Sequence, residues 1–227
     1  SPSNPTGSVY SAEELAGLAE VLKKHPEIIV IADEIYEHIN YIGKHNSIAQ
    51  VDGMKDRTVI VNGVSKAYAM TGWRIGYVAA PANISKLIGN YLSHCISSPC
   101  SISQKAAAAA LSGSQETVED MRKAFEERRN YMVDRMNQIE GVSCIRPHGA
   151  FYVMMNIEKL VGKELFGHVI QDSDDFGNLF LQYGKVAVVP GTSFGAPNFV
   201  RWSYATSIEN IKEGLDRLEK FLRGEAV

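Results

Sequence analysis

A lysine follows a short β-branched run, and an arginine comes eight residues after it. The run Thr58–Val61 predicts a buried strand, and the glycine and serine residues that follow predict a turn, so Lys66 should lie just past the strand's carboxyl end. Because a parallel crossover needs roughly a dozen residues or more, the next strand, Arg74–Ala80, should run antiparallel to the first. Lys66 and Arg74 should therefore lie at the same edge of an α/β sheet, where ligands bind in open sheets of this kind.

A second apolar run, Ile28–Tyr36, is too short for a helix and contains an acid near its end. Such a run predicts a parallel strand that is buried on both faces. Its carboxyl end would bring Asp33 and Tyr36 to the sheet edge that carries Lys66. An acid, a phenol, an amine and a guanidinium are thus predicted to converge.

These four groups suit an aldehyde cofactor that has a ring nitrogen and a phosphate, namely pyridoxal 5′-phosphate. Lys66 would form the Schiff base and then move the substrate proton. Asp33 would keep the ring nitrogen protonated, and Tyr36 would donate to the ring phenolate. Ser65 and Arg74 would hold the phosphate, the arginine through a charge-assisted fork.

Further motifs extend the pattern along the chain. They are N-P-T-G (Asn4–Gly7), D-E-I-Y (Asp33–Tyr36), S-K-A-Y-A-M-T-G-W-R-I-G-Y (Ser65–Tyr77), G-A-F-Y (Gly149–Tyr152), V-A-V-V-P-G (Val186–Gly191) and V-R-W-S-Y-A-T-S (Val200–Ser207). In content and order they resemble the landmarks of the fold-type-I pyridoxal-phosphate enzymes. Within that group the chain is most similar to the class I aminotransferases related to bacterial aspartate aminotransferase.

The resemblance implies transfer of an amino group from an amino acid, with aspartate as the expected donor, to a 2-oxo acid. It implies that Asn4 contacts the cofactor phenolate and the substrate, and that Arg201 binds the substrate α-carboxylate bidentately, through two parallel hydrogen bonds. It also implies an α/β fold, with a mostly parallel large-domain sheet that has an antiparallel edge strand, and a small α+β domain. The complete enzyme would be a homodimer.

The resemblance further implies that the chain is a C-terminal portion of such an enzyme. It opens at S-P-S-N-P-T-G, which the family would place in mid-protein. The residues that select the distal group of the substrate would then lie upstream. The apolar edge at Ile28–Ile31 would lack its neighbouring strands and would need covering.

Hydrophobic periodicity predicts the domain organisation. Residues 1–113 would be the remnant of the cofactor-binding large domain, and residues 114–227 the small C-terminal domain. Helices are expected at Lys105–Leu111, Gln115–Ile139, Asp174–Tyr183 and Ile208–Leu222, and short strands at Val142–Ile145, Phe151–Ile157, Val186–Val189 and Val200–Tyr204. Interleaved helices and strands of this kind are typical of an α+β layer.

Composition excludes several classes of function. With 45% hydrophobic and 22% charged residues the chain can bury a core, and its net charge of -3 gives no basic surface for nucleic acid. No apolar run reaches the roughly 20 residues that cross a bilayer. Three cysteines without C-x-x-C spacing predict free thiols in a reducing cytoplasm, and the histidine spacing predicts no metal site.

Two alternatives stay open at this point. The same motifs serve fold-type-I lyases, such as carbon-sulfur lyases. A chain with only part of the site could also be catalytically inert, as a stable folding remnant or an interaction module.

Overall fold

A computed structural model describes all 227 residues and divides them into two compact units. The first unit comprises residues 1–3 and 8–122, and the second comprises residues 4–7 and 123–227. This division differs from the predicted boundary at residue 113. The short segment 4–7 groups with the second unit because the backbone N–H groups of His148 and Gly149 both donate to the carbonyl of Gly7 at 2.9 Å. The roles assigned to the two domains stay predictions.

The sheet of the first unit has three strands in the order β1-β2-β3. They are β1 (Val30–Asp33), β2 (Thr58–Gly63) and β3 (Gly76–Ala79). β1 and β2 are parallel, with Asp33 opposite Val61, and β2 and β3 are antiparallel, with Gly63 opposite Gly76. The predicted antiparallel connection is therefore confirmed, although β3 begins two residues after Arg74.

The prediction that β1 is buried on both faces is wrong. One face packs Val30 and Ala32 against a core cluster that includes Leu15 and Met54. The other face leaves the side chain of Ile31 73% exposed. The physical reason is that β1 pairs only with β2 and that no layer of the chain covers its second face.

Three α-helices lie within the first 112 residues: α1 (Ala12–Leu22), α2 (Ala82–Cys95) and α3 (Ser101–Ser112). No helix was predicted at α1, although its capping box is readable in the sequence: the Ser11 hydroxyl accepts the Glu14 N–H, and the Glu14 carboxylate accepts the Ser11 N–H. α3 confirms the helix predicted at Lys105–Leu111. It begins at Ser101, earlier than predicted.

The long helix α4 (Glu116–Met136) leads into the second unit and confirms the helix predicted from the amphipathic pattern. The remaining elements are β4 (Ser143–Cys144), β5 (Tyr152–Asn156), β6 (Glu164–Leu165), β7 (His168–Val169), α5 (Ser173–Gly184), β8 (Val189–Pro190), β9 (Phe199–Ser203) and α6 (Ile208–Leu222). Four strands form an antiparallel sheet in the order β4-β5-β9-β8, and β6 and β7 form a separate hairpin that was not predicted. No helix of the structure combines the length and apolar character needed to span a membrane.

Alternation along β9 decides which of its side chains enter the core. Val200 and Trp202 are buried, and the Trp202 ring lies 5.7 Å from that of Phe180 on α5. Because successive strand residues point to opposite faces, Arg201 projects from the other face of the sheet. The core packing of β9 thus directs the predicted carboxylate-binding residue away from the hydrophobic interior.

We expect Gly191→Ala to destabilise the second unit. A Cβ at Gly191 would collide with the backbone carbonyls of Ala196 and Phe199, which cannot move as a flexible side chain could. The free energy of unfolding should fall by about 1–3 kcal/mol. Urea unfolding followed by tryptophan fluorescence would measure it.

The matched control is Gly17→Ala, which changes a glycine within α1 where nothing lies within 4 Å of the new methyl group. That variant should gain about 0.5–1 kcal/mol from helix propensity. An unchanged midpoint for Gly191→Ala would contradict the predicted backbone collision.

Candidate active site

The first unit brings together three of the predicted site residues. Asp33 is the last residue of β1, and its exposed carboxylate accepts the Ile35 N–H at 3.1 Å. Tyr36 follows in the same turn and is 5% exposed. The Lys66 Nζ lies 5.9 Å from the centroid of the Tyr36 ring. The carboxyl ends of β1 and β2 therefore place the amine beside the phenol, with the acid at the start of the same turn.

The exit from β2 depends on a close backbone approach. A Cβ at Gly63 would lie 2.9 Å from the carbonyl oxygen of Ile75, so only glycine fits this position without a shift. Val64 N–H donates to the same carbonyl at 3.4 Å. This approach holds the segment that carries Ser65 and Lys66, both half-buried, next to the segment that leads into β3.

Arg74 lies on that neighbouring segment, in a left-handed backbone conformation with φ 56°. Its Nη1 donates to the carbonyl of Thr71 at 2.9 Å, and its side chain is exposed. Ser65 and Arg74 thus flank the Gly63–Gly76 pair at the end of the sheet that carries Lys66. A hydroxyl and a guanidinium at this place have the chemistry of an anion clamp.

The second unit brings together the two other predicted site residues. Arg201 Nη1 donates to the Asn4 side-chain oxygen at 2.6 Å, although 197 positions separate them in sequence. Gly7 fixes the segment of Asn4: its φ is +67°, and a Cβ there would collide with the side chain of Pro147 and the carbonyl of Gly149. The N-P-T-G and G-A-F-Y motifs are therefore packed together, and this contact leaves room only for a glycine at position 7.

Two aromatic side chains near Arg201 received no role from the sequence. The Arg201 guanidinium carbon lies 4.3 Å from the centroid of the Tyr152 ring and 5.0 Å from that of Phe194. Tyr152 ends the quoted G-A-F-Y motif, which was a signal for it. Phe194 lies beyond the V-A-V-V-P-G motif, and no local pattern indicates its contact with Arg201.

Acids and histidines also cluster beside the first group of site residues. The buried Glu34 pairs with His45 at 3.0 Å, and Glu37 pairs with His38 at 3.3 Å and accepts the Asn62 amide at 2.8 Å. Ligand atoms of Glu34, Glu37 and His45 lie within 4.8 Å of one another. Each of these three side chains already has a partner within the protein, so the pairing is explained without a ligand.

The Glu37–His38 pair should make stability depend on pH. The hydrogen bond with Glu37 raises the pKa of His38 above 6.5, and the bond with His38 lowers the pKa of Glu37. The stabilisation is therefore complete below pH 6.5, while Glu37 stays ionised, and is lost as pH rises through the raised pKa of His38. His38→Gln should lower stability near pH ~5.5 and change it little near pH ~9.

Urea unfolding at both pH values would test this expectation, with the exposed His168→Gln as the control. An equal loss of stability at both pH values would show that His38 acts through packing and not through its charge.

Groups of this chemistry fit a cofactor that has an aldehyde, a basic ring nitrogen and a phosphate. The fit rests on the donor set of the first unit: an amine for the aldehyde, a carboxylate for a protonated nitrogen, a phenol, and a hydroxyl with a guanidinium for the anion. The three free cysteines Cys95, Cys100 and Cys144 are not among these groups.

Known proteins with similar sequences and structures cover nearly the whole chain. It is 47% identical over 228 residues to the aspartate aminotransferase of Geobacillus stearothermophilus, which is 100% of this chain and 57% of that protein. It is 47% identical to the aspartate aminotransferase of Bacillus subtilis, covering 98% of this chain and 56% of the relative. The chain thus spans little more than half the length of the curated relatives it matches.

A solved aspartate aminotransferase from Rhizobium meliloti superposes with a TM-score of 0.93 at 43% identity, over 98% of this chain and 56% of that structure. This likeness confirms the predicted fold class, the fold of the pyridoxal-phosphate fold-type-I enzymes. The sequence model described as aminotransferase class I and II matches residues 1–218. The chain belongs to the class I and II aminotransferase family.

Proposed function

We propose that the protein of which this chain forms all or part is a pyridoxal-phosphate-dependent aminotransferase that moves an amino group from an amino acid to a 2-oxo acid. The observation that carries the proposal is the placement of the Lys66 amine 5.9 Å from the ring centroid of the buried Tyr36, with Asp33 at the end of the adjacent parallel strand. The names of the similar proteins from Geobacillus stearothermophilus and Bacillus subtilis support it.

When bound, pyridoxal phosphate supplies an aldehyde that condenses with amines and a protonated ring that accepts the electron pair of a substrate carbanion. Asp33 would accept a hydrogen bond from the ring nitrogen and keep the proton there, because a nearby carboxylate favours the charged form. Tyr36 would donate its phenol proton to the ring oxygen. Ser65 and Arg74 would bind the phosphate with a hydroxyl and a charged donor.

Lys66 would have two tasks. Its amine would first hold the cofactor covalently. Once an amino-acid substrate has taken that place, the free amine would accept the proton from the substrate α-carbon and would then donate it to the cofactor carbon. A flexible side chain with a compact charge suits this transfer, because the four-carbon stem lets one nitrogen reach more than one atom.

Asn4 and Arg201 would bind the substrate in the second unit. Arg201 is half-buried and makes its hydrogen bond to Asn4, and no carboxylate of the chain pairs with it. A planar guanidinium in this state can bind an α-carboxylate through two parallel hydrogen bonds and so fix the orientation of the α-carbon. The Asn4 amide would contact both the substrate and the cofactor phenolate.

Aspartate is the proposed amino donor, because the similar proteins are named aspartate aminotransferases. A homodimer and a cytoplasmic location remain predictions that follow from the family resemblance and the free cysteines.

Assays of the purified chain, after its intact mass has been measured, would test the proposal. Incubation with pyridoxal phosphate, aspartate and 2-oxoglutarate should produce glutamate. A carbon-sulfur lyase would instead release pyruvate and ammonia from cysteine-type substrates. If neither product forms and borohydride traps no cofactor on the protein, the chain by itself is inert and the proposal fails for it.

Arg201→Lys should raise KM for the amino acid and lower kcat together. A lysine keeps the charge but cannot hold a carboxylate in the two-bond orientation, so the overall loss in kcat/KM should be about 10²-fold. Steady-state kinetics on the active holoenzyme would measure both constants. If only KM rises, Arg201 attracts the substrate without orienting it.

A further inference from the structure

The Arg201 guanidinium lies against two aromatic rings and beside one amide. We propose that Tyr152 and Phe194 form an aromatic clamp, which holds the guanidinium so that Nη1 faces Asn4 while the edge with Nε and Nη2 stays open to one carboxylate. Tyr152 and Phe194 would be positioning residues that act through Arg201. The proposal rests on the proposed function for the identity of the ligand, an amino-acid or 2-oxo-acid carboxylate.

Strand register places the first ring. In the antiparallel pair of β5 and β9, Met154 lies opposite Arg201 and Tyr152 lies opposite Ser203. Tyr152 and Arg201 are therefore diagonal neighbours on one face of the sheet, within reach of long and aromatic side chains. Tyr152 is only 7% exposed, so its ring has little freedom to leave this place.

A rigid loop places the second ring. β8 pairs with β9 on the other side, with Val189 opposite Arg201. The chain then turns through a 3₁₀ helix, Gly191–Phe194, and ends it with Gly195 at φ +71°. The backbone packs so closely at Gly191 that there is no room for a Cβ. This packing fixes the path of the turn, and the turn brings Phe194 back over Arg201.

The charge balance around Arg201 points to an external anion. Elsewhere in the second unit, the half-buried Arg135 pairs with Glu219 at 2.5 Å, and Arg146 pairs with Asp134. Arg201 contacts only neutral groups: an amide oxygen and two aromatic rings. Aromatic faces stabilise a guanidinium without using its N–H donors. The clamp therefore restrains Arg201 and leaves the donors other than the Nη1 bond to Asn4 available for a ligand.

A restrained arginine loses less conformational freedom when it binds, which raises affinity without a new contact to the ligand. Loss of one ring should release the guanidinium, weaken carboxylate binding and disturb its orientation. Phe194 is the better ring to test, since it is 36% exposed and its replacement leaves the core unchanged.

Nuclear magnetic resonance of the 227-residue chain can observe the clamp directly. The Arg201 Nε–H resonance, assigned by its disappearance in Arg201→Lys, should show an upfield ring-current shift. Phe194→Leu should lose part of this shift, because the nearer Tyr152 ring stays, and should weaken the binding of succinate, followed at the same resonance, by about 10-fold. Phe194→Tyr should restore both values.

The matched control is Phe166→Leu, which removes a ring that stacks on Tyr183 at 4.2 Å elsewhere in the same unit. It should keep the shift and bind succinate within about twofold of the parent chain. The proposal is overturned if Phe194→Leu keeps the shift, if it binds succinate as tightly as the parent does, or if the parent does not bind succinate. Succinate binding that depends on Phe194, in a chain that transfers no amino group, would support the clamp and defeat the proposed function.

Discussion

Lys66→Ala should abolish amino transfer, with a fall in kcat of at least about 10³-fold. The amine of Lys66 is the one group beside Tyr36 that can both hold an aldehyde and carry a proton, so a methyl group leaves neither task served. Borohydride treatment of the parent chain with pyridoxal phosphate should leave a pyridoxyl group on the peptide that contains Lys66. Peptide mass spectrometry should find no such group at this segment in the variant.

Lys86→Ala is the control, because Lys86 is exposed on α2, outside the loop that follows β2. It should keep both the activity and the pyridoxyl group on Lys66. A Lys66→Ala protein that retains a few per cent of the parent activity without added amines would contradict the assignment. Trapping of the cofactor mainly on another lysine of the parent chain would contradict it too.

Local sequence was sufficient to predict how the strands of the first sheet are arranged. The β-branched run before Lys66 and the acid that ends β1 are short-range signals, and the short interval to Arg74 excluded a parallel crossover. The structure confirms the resulting β1-β2-β3 arrangement. Such predictions succeed because strand length, turn residues and connection length are local properties of the chain.

Burial of β1 could not be predicted in the same way. A continuous apolar run such as Ile28–Ile31 indicates what a strand prefers to contact, but it does not indicate whether a neighbour is there. Ile31 is exposed because burial depends on the whole sheet and not on the strand itself. Ile31 thus lies in a strand whose apolar pattern is not satisfied by the three strands of its own sheet.

Contacts between distant segments could not be predicted from local sequence patterns either. The grouping of Asn4–Gly7 with the second unit follows from backbone hydrogen bonds to His148 and Gly149 and from the tight fit at Gly7. Phe194 reaches Arg201 only because of the turn after β8. These contacts are set by tertiary packing. The motifs predicted which residues form the site, and the structure shows which side chains contact those residues.

Asp33→Ala should lower kcat by at least about 10²-fold and leave the stability of the chain nearly unchanged. The carboxylate is exposed and its hydrogen bond within the protein goes to the Ile35 N–H, so little packing is lost. Its proposed task is electrostatic: it keeps a proton on the ring nitrogen, and without it the ring is a weaker acceptor of the carbanion's electron pair. Steady-state kinetics and urea unfolding would measure the two effects separately.

Asp52→Ala is the matched control, because it removes an exposed carboxylate from the same unit, away from the end of β1. It should leave kcat within about twofold of the parent value, since exposed surface substitutions have small effects. The Asp33 variant should still become labelled on Lys66 by borohydride, because covalent attachment needs the amine and not the carboxylate.

A near-normal rate for Asp33→Ala would contradict the electrostatic role. A large loss of stability would instead show that the acid at the end of β1 serves the fold, since a purely catalytic carboxylate can be removed from an exposed strand end without unfolding it.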